Sequence, residues 1–242
     1  MKKVSAKKMI PPSYQSGIRY VEGLTSRQML EWVKDELLDE VHMLAGKQED
    51  FPVQAIVNHY PYLSFKAQKG MDDAIDKLVF DWEKEHNEWP DSAVRALLSL
   101  VGKLPVPGAK YKLKALVESE MFTEIKSQLR YAVLCAIASL STNEDRMFWN
   151  KIPERHQEYS GMTFQVLARI APEDALNLLG HLPDNAPSIG GVARALPDFV
   201  SQKRPKKKQL EVLQRVEKAI TRLSRKSTAT LRTSLKEAGF EF

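Results

Sequence analysis

Nine basic side chains near the end of the chain are the densest chemistry in the sequence. Lys203, Arg204, Lys206, Lys207 and Lys208 cluster around Pro205. Lys208, Arg215, Lys218, Arg222 and Arg225 then recur at helical spacing as a stripe interrupted by Glu211. Leu210, Leu213, Val216, Ile220 and Leu223 mark a separate apolar face, predicted to turn inward. Arg232 and Lys236 follow on the last predicted helix. A row of guanidinium and ammonium groups can follow a phosphate backbone and release its counterions. It reads no bases unless side chains reach a groove. The same row also fits a solvated basic face, or a contact for an acidic protein or lipid.

Net charge gives that row its context. Residues 201–242 carry 12 Lys plus Arg against 4 Asp plus Glu, a net +8, whereas residues 1–200 carry 24 against 27, a net −3. Such an asymmetry points to an acidic partner without choosing one. Residues 72–91 are acidic and could repel nucleic acid locally, or pair with a neighbour's basic end.

Other reactive residue types form no constellation. Glu83 and His86 make one Glu-x-x-His pair, but a di-iron bundle needs two such pairs and two further glutamates. His86 shares an apolar face with Trp82, so a packed histidine is expected. Asp72, Asp73 and Asp76 open the same predicted helix, where carboxylates suit the positive dipole end. His156 lies between Glu154 and Glu158, yet no serine or cysteine nucleophile can be tied to it. Cys135 is the single cysteine, which excludes an internal disulfide and a Cys-only zinc site. It sits in an apolar run and should be an inert small hydrophobe. Trp82, Trp89 and Trp149 are expected in the core. No phosphate loop, dinucleotide fingerprint, His-Glu-x-x-His or Gly-x-Ser-x-Gly occurs. The expectation is therefore no catalytic residue, no metal site and no cofactor.

The elements that must position these groups are helical throughout. Residues 1–24 show little periodicity and are expected as an arm. Thr25 or Ser26 can cap a helix carrying Leu30, Val33, Leu37, Val41 and Leu44 on one face. Further helices are predicted over 51–60, 71–87, 92–101, 109–121, 123–140, 143–150, 155–170, 172–182, 188–202, 205–224 and 228–238. Pro172 suits a first turn, and Pro197 should kink or split its helix. The segment 123–140 is apolar on every face, and a helix of that kind is predicted to be buried. Period-two alternation is absent, so no strand is expected.

Ser99-Leu100-Val101-Gly102-Lys103-Leu104-Pro105 aligns with Asn177-Leu178-Leu179-Gly180-His181-Leu182-Pro183 at an offset of 78 residues, and each copy leads through a proline-bearing turn into a helix. Half of that offset is close to the length of paired-helix repeats. Over residues 71–202 the chain resembles HEAT and armadillo α-solenoids in pattern, without a signature motif. The resemblance implies an all-α fold of stacked antiparallel helix pairs; an irregular helical bundle is the alternative. The turns at 104–116 and 182–196 resemble helix-hairpin-helix modules in outline. The first lacks the second glycine and the second is shifted, so a helix end followed by a turn accounts for both. Certain DNA glycosylases also have HEAT-like folds of similar length, but no motif of theirs is matched and no residue is carried over.

These readings combine into one expectation. An arm (1–24), a helical-repeat domain (25–202) and basic C-terminal helices (203–242) packed on its end form a non-enzymatic scaffold for a protein partner. The alternative is nucleic-acid binding through the basic C-terminal helices. No apolar run approaches the length of a membrane span, and no secretory h-region is present, so a cytoplasmic protein is expected. The run KRPKKK looks like a nuclear localisation signal, which would apply if the source is eukaryotic.

Overall fold

A computed structural model describes residues 14–43, 51–85, 89–182, 185–202 and 205–240. Among the described residues there are fourteen α-helices and no strand. They are α1 (Tyr14–Glu22), α2 (Ser26–Met43), α3 (Phe51–His59), α4 (Phe65–Glu85), α5 (Asp91–Lys103), α6 (Pro107–Glu118) and α7 (Met121–Glu124). After them come α8 (Ser127–Ser139), α9 (Arg146–Arg155), α10 (Ser160–Ile170), α11 (Pro172–Leu179), α12 (Ala186–Ser201), α13 (Lys206–Ile220) and α14 (Arg225–Glu237). The chain divides into two compact units, Met1–Leu140 and Ser141–Phe242.

Both units follow one packing rule. With the single-turn α7 set aside, each helix from α2 onward packs on the helix two places along: α2 on α4, α3 on α5, α4 on α6 and α5 on α8 in the first unit. In the second, α9 packs on α11, α10 on α12, α11 on α13 and α12 on α14. Short connections make neighbours antiparallel, and the rule lays them out as two layers of alternate helices within each unit. The two sequence copies around Gly102 and Gly180 end α5 and α11, which are an odd number of helices apart once α7 is set aside. What they share is the chemistry of a helix end before a proline turn.

In the first unit Thr25 and Gln28 form a reciprocal capping box. The Gln28 N–H donates to Thr25 Oγ1 at 3.3 Å, and the Thr25 N–H donates to Gln28 Oε1 at 3.0 Å. The predicted arm contributes α1, whose Val21 is buried. α1 is tied to the start of α4, because the Ser64 N–H donates to the Glu22 carboxylate; hydrogen bonding by the Ser64 side chain, then by its backbone, holds the Glu22 pKa below the usual range. α4 begins at Phe65, six residues before the expected start, because Ser64 Oγ accepts from the Ala67 N–H at 3.3 Å. The core joins Met29, Val33, Ile75, Leu78, Trp82, Leu97, Val133 and Ile137. α5 and α8 approach closely: a Cβ on Gly102 would stand 3.2 Å from Ala136 Cα. The expectation that α8 is covered all round is not met. α5 and α6 cover one side, while Tyr131 on the other is 56% exposed.

In the second unit α10 and α12 cross backbone to backbone. A Cβ on Gly191 would lie 2.8 Å from Gly161 Cα, so only glycine fits there. Pro172 occupies the first turn of α11 as expected. α12 runs on through Pro197 without splitting. Proline supplies no N–H to the carbonyl four residues back. That carbonyl belongs to Ala193, and the Ser234 hydroxyl from α14 donates to it instead. Thr228 Oγ1 donates likewise to the Ile220 carbonyl at the end of α13, at 2.7 Å.

Candidate nucleic-acid interface

α13 and α14 present the basic end of the chain. Leu213, Val216 and Ile220 of α13, with Leu231 and Leu235 of α14, are buried against α11 and α12. Their burial contributes on the order of 10 kcal/mol, so the pair is an integral part of the second unit. Leu210, expected to face inward, is 55% exposed. Gln209 takes the inward position at that turn, its Nε2 reaching the Ser201 carbonyl at 3.5 Å.

The predicted basic residues separate into groups with different roles. Lys203 and Arg204 lie outside the described residues. Arg215 is a strut: its fork meets both oxygens of Glu173 on α11, with Nη1 to Oε1 at 2.9 Å, and the contact lowers the Glu173 pKa. Arg222 runs over the end of α11, where its Nη1 would be 3.5 Å from a Cβ on Gly180. Arg232 is paired with Glu217. Lys206, Lys207, Lys208, Lys218 and Arg225 are exposed and make no ion pair among the described residues.

Two of these groups stand where helix electrostatics opposes them. The first turn of α13 holds Lys206, Lys207 and Lys208 with no acidic residue, and that of α14 begins Arg225-Lys226, again with none. The N-terminal end of a helix carries partial positive charge and favours anions. The protein therefore keeps cations at positions that cost it stability. An arriving anion would relieve the repulsion at both.

Between the connection that follows α13 and one side of α14 lies a crevice of about 570 Å³. Arg225, Arg232 and Lys236 line it, together with Thr221, Thr228 and Thr233. At spacings of seven and four residues the three cations rise about 10 and 6 Å apart along α14. Guanidinium and ammonium donors, with the Thr233 hydroxyl, converge on one concavity and suit phosphate oxygens, whereas the Thr221 and Thr228 hydroxyls donate to the Lys218 and Ile220 carbonyls. Thr233 was not legible as a site residue, because nothing in the sequence marks which face of α14 lines a crevice.

Comparison with known proteins adds no assignment. No family model, curated protein or solved structure matches this chain. What the site can do is read from its own groups.

Elsewhere the reactive residue types are engaged in structure. Trp82 and Trp149 are buried, and the Trp149 Nε1–H donates to Ser141 Oγ at 2.8 Å. His156 is buried beside Tyr159, and Cys135 is half-buried with its thiol pKa pushed up by burial. The Glu83–His86 pairing cannot be followed, since His86 lies outside the described residues. A cleft of about 490 Å³ between α9 and α11 is lined by Glu154, Asp174 and His181. Its one deeply set carboxylate, Asp174, is held by Asn150 at 2.7 Å and Arg146 at 3.3 Å. Among the described residues no cluster of three or more His, Cys, Asp or Glu could hold a metal, and no helix is long and apolar enough to cross a membrane.

Proposed function

We propose that the protein is a non-enzymatic helical-repeat scaffold whose basic C-terminal pair binds the phosphate backbone of a nucleic acid. The alternate-helix packing in each unit is what a HEAT-like stack requires. Phosphate binding is carried by one observation: the crevice lined by Arg225 and Lys236, with Arg232, already paired with Glu217, between them. Cations held at two helix starts support it. A nucleic-acid backbone is favoured over a single small anion because the unpaired cations spread from the first turn of α13 to the last turn of α14. A protein partner for the stacked helices, the other reading of the sequence, has no comparable cluster of groups behind it.

The test is anisotropy on a labelled duplex over a salt series. Deleting residues 203–242 would strip α13 and α14 from α11 and α12, so charge-neutralising substitutions are used instead. Each duplex phosphate neutralised contributes about −0.9 to the slope of log K against log salt. Arg225→Ala with Lys236→Ala should flatten that slope by about 1.8 and weaken binding at low salt. An unchanged slope and affinity would remove the crevice from the interface. No binding at low salt would end the nucleic-acid reading.

A further inference from the structure

We infer that the face shared by α4 and α6 in the first unit is a stacking surface for single-stranded nucleic acid. The inference deepens the phosphate-binding reading and rests on it. Each of the two packed helices carries an aromatic ring in solvent: Phe80 of α4 is 40% exposed and Tyr111 of α6 is 62% exposed. Each has its own lysines. Lys84 Nζ lies 4.2 Å from the centre of the Phe80 ring and Lys112 Nζ lies 5.3 Å from it. Lys110 and Lys114 each place Nζ 5.9 Å from the centre of Tyr111.

The two helices are held in this register by their own contacts. Lys112 Nζ donates to Asp76 Oδ2 at 2.8 Å and to the Asp76 carbonyl at 3.1 Å. Gly108 makes room for that carboxylate, since a Cβ there would come within 2.6 Å of Asp76 Oδ1. The surface is therefore fixed before any ligand arrives.

Sequence charge alone argues against a polyanion at this place, because Phe80 lies within the acidic stretch 72–91. The structure answers that objection locally. Asp72 accepts from the Tyr60 hydroxyl, Asp76 from Lys112, and Asp81 from Lys77 at 3.2 Å. Those carboxylates are engaged within the unit, and beyond Lys112, which is paired with Asp76, the ammonium groups of Lys84, Lys110 and Lys114 stand by the two rings. Aromatic faces interleaved with lysines are what single-strand binders use: rings take base faces and cations take the backbone. Exposed rings of this kind offer nothing to a duplex, whose bases are already stacked.

Two oligomers of equal length separate stacking from charge: a thymidine oligomer and its fully abasic counterpart. The full-length protein should bind the thymidine oligomer more tightly than the abasic one. Tyr111→Ala and Phe80→Ala should each weaken thymidine binding about five-fold or more, leave abasic binding unchanged, and abolish the preference when combined. Tyr111→Trp should preserve it. A melting curve like that of the parent shows that each variant is folded, as expected for exposed side chains. Equal affinity for the two oligomers overturns the stacking surface while leaving phosphate binding intact. Parallel weakening on both oligomers also overturns it, since the rings would then act only by holding lysines. Tyr111-dependent binding of poly-glutamate with the same strength would assign the face to acidic peptide instead. Failure to bind either oligomer overturns both readings. Arg225→Ala with Lys236→Ala should lower both affinities alike and leave the preference untouched.

Discussion

The two units share a packing rule and differ in what they bury. Every buried polar or charged side chain among the described residues belongs to the second unit: Ser141, Asp145, His156, Ser160, Thr163, Ser188, Ser227 and Thr228. Every strongly exposed aromatic among the described residues belongs to the first: Tyr62, Phe65, Phe80, Tyr111 and Tyr131. Successive pairs begin 39 and 42 residues apart in the first unit, at Ser26, Phe65 and Pro107. In the second they begin 26 and 34 apart, at Arg146, Pro172 and Lys206. Short helices end often, and prolines interrupt their ladders. Each end or interruption frees a carbonyl that must find a donor. Buried hydroxyls supply it: Ser160 and Ser188 both donate to the Gln157 carbonyl at 2.7 Å, and Ser234 serves Ala193. Longer helices keep their hydrogen bonds to themselves. The first unit can therefore hold an apolar core and leave aromatic rings on its surface for other uses.

The sharpest way to break this contrast is at the buried tryptophans. Trp82→Ala and Trp149→Ala should each cost about 3–5 kcal/mol of their own unit's stability. Replacement by phenylalanine separates them. Trp149→Phe removes the donor to Ser141, while Trp82 Nε1 has no hydrogen-bond partner among the described residues. Trp149→Phe should thus be worse than Trp82→Phe by about 1 kcal/mol, read from urea midpoints. Equal costs would mean that hydroxyl bonding does not distinguish the two cores.

A smaller effect is expected at the shared carbonyl. Ser234→Ala leaves Ala193 without its donor and should cost about 1–3 kcal/mol. Ser139→Ala in the first unit removes an exposed bond to the Cys135 carbonyl and should stay within about 0.5 kcal/mol. If thermal melting ranks the two variants equally, the Pro197 gap is being filled in another way.

The smallest effect is a pH dependence confined to the first unit. Tyr60 donates to both oxygens of Asp72, at 2.9 and 3.1 Å. Burial pushes the phenol's pKa up, and the hydrogen bond and charge of Asp72 add to it. The folded state thus holds that proton more tightly than the unfolded chain, whose phenol ionises near pH 10. Its contribution is complete below about pH 10 and falls as pH rises further. Burial also raises the Asp72 pKa, so that carboxyl favours the fold at acid pH and loses this contribution as pH rises through the carboxylate range. Tyr60→Phe should flatten the alkaline loss of stability, measured as urea midpoints on either side of pH 10. An identical alkaline slope in the variant would assign the loss to other groups.

Much of the architecture was legible because its signals are local. Thr25 capped the helix it was expected to cap, Pro172 opened α11, and Leu213, Val216 and Ile220 turned inward at their predicted spacing. The misses came where a distant residue decided the outcome. Pro197 did not break α12, because its donor arrives from a residue 41 positions away. Leu210 turned outward because Gln209 found a carbonyl beyond its own helix. α8 looked buried on every face because periodicity measures apolarity and not the number of neighbours available to cover it. At the candidate interface the basic residues were countable in the sequence. Their division into the Arg215 strut, the Arg232–Glu217 pair and the unpaired group was not, since it depends on which acids α11 and α13 bring near. Lys110-Tyr111-Lys112-Leu113-Lys114 was not singled out in the sequence, since its use depends on α6 packing against α4.

The bond from Ser234 to Ala193 also sets an order of events during synthesis. α12 leaves the ribosome with an unanswered carbonyl at its proline and waits for α14 to supply the hydroxyl. Every helix of the first unit has by then been made. The second unit can therefore complete the ladder of α12 only once α14 has been made.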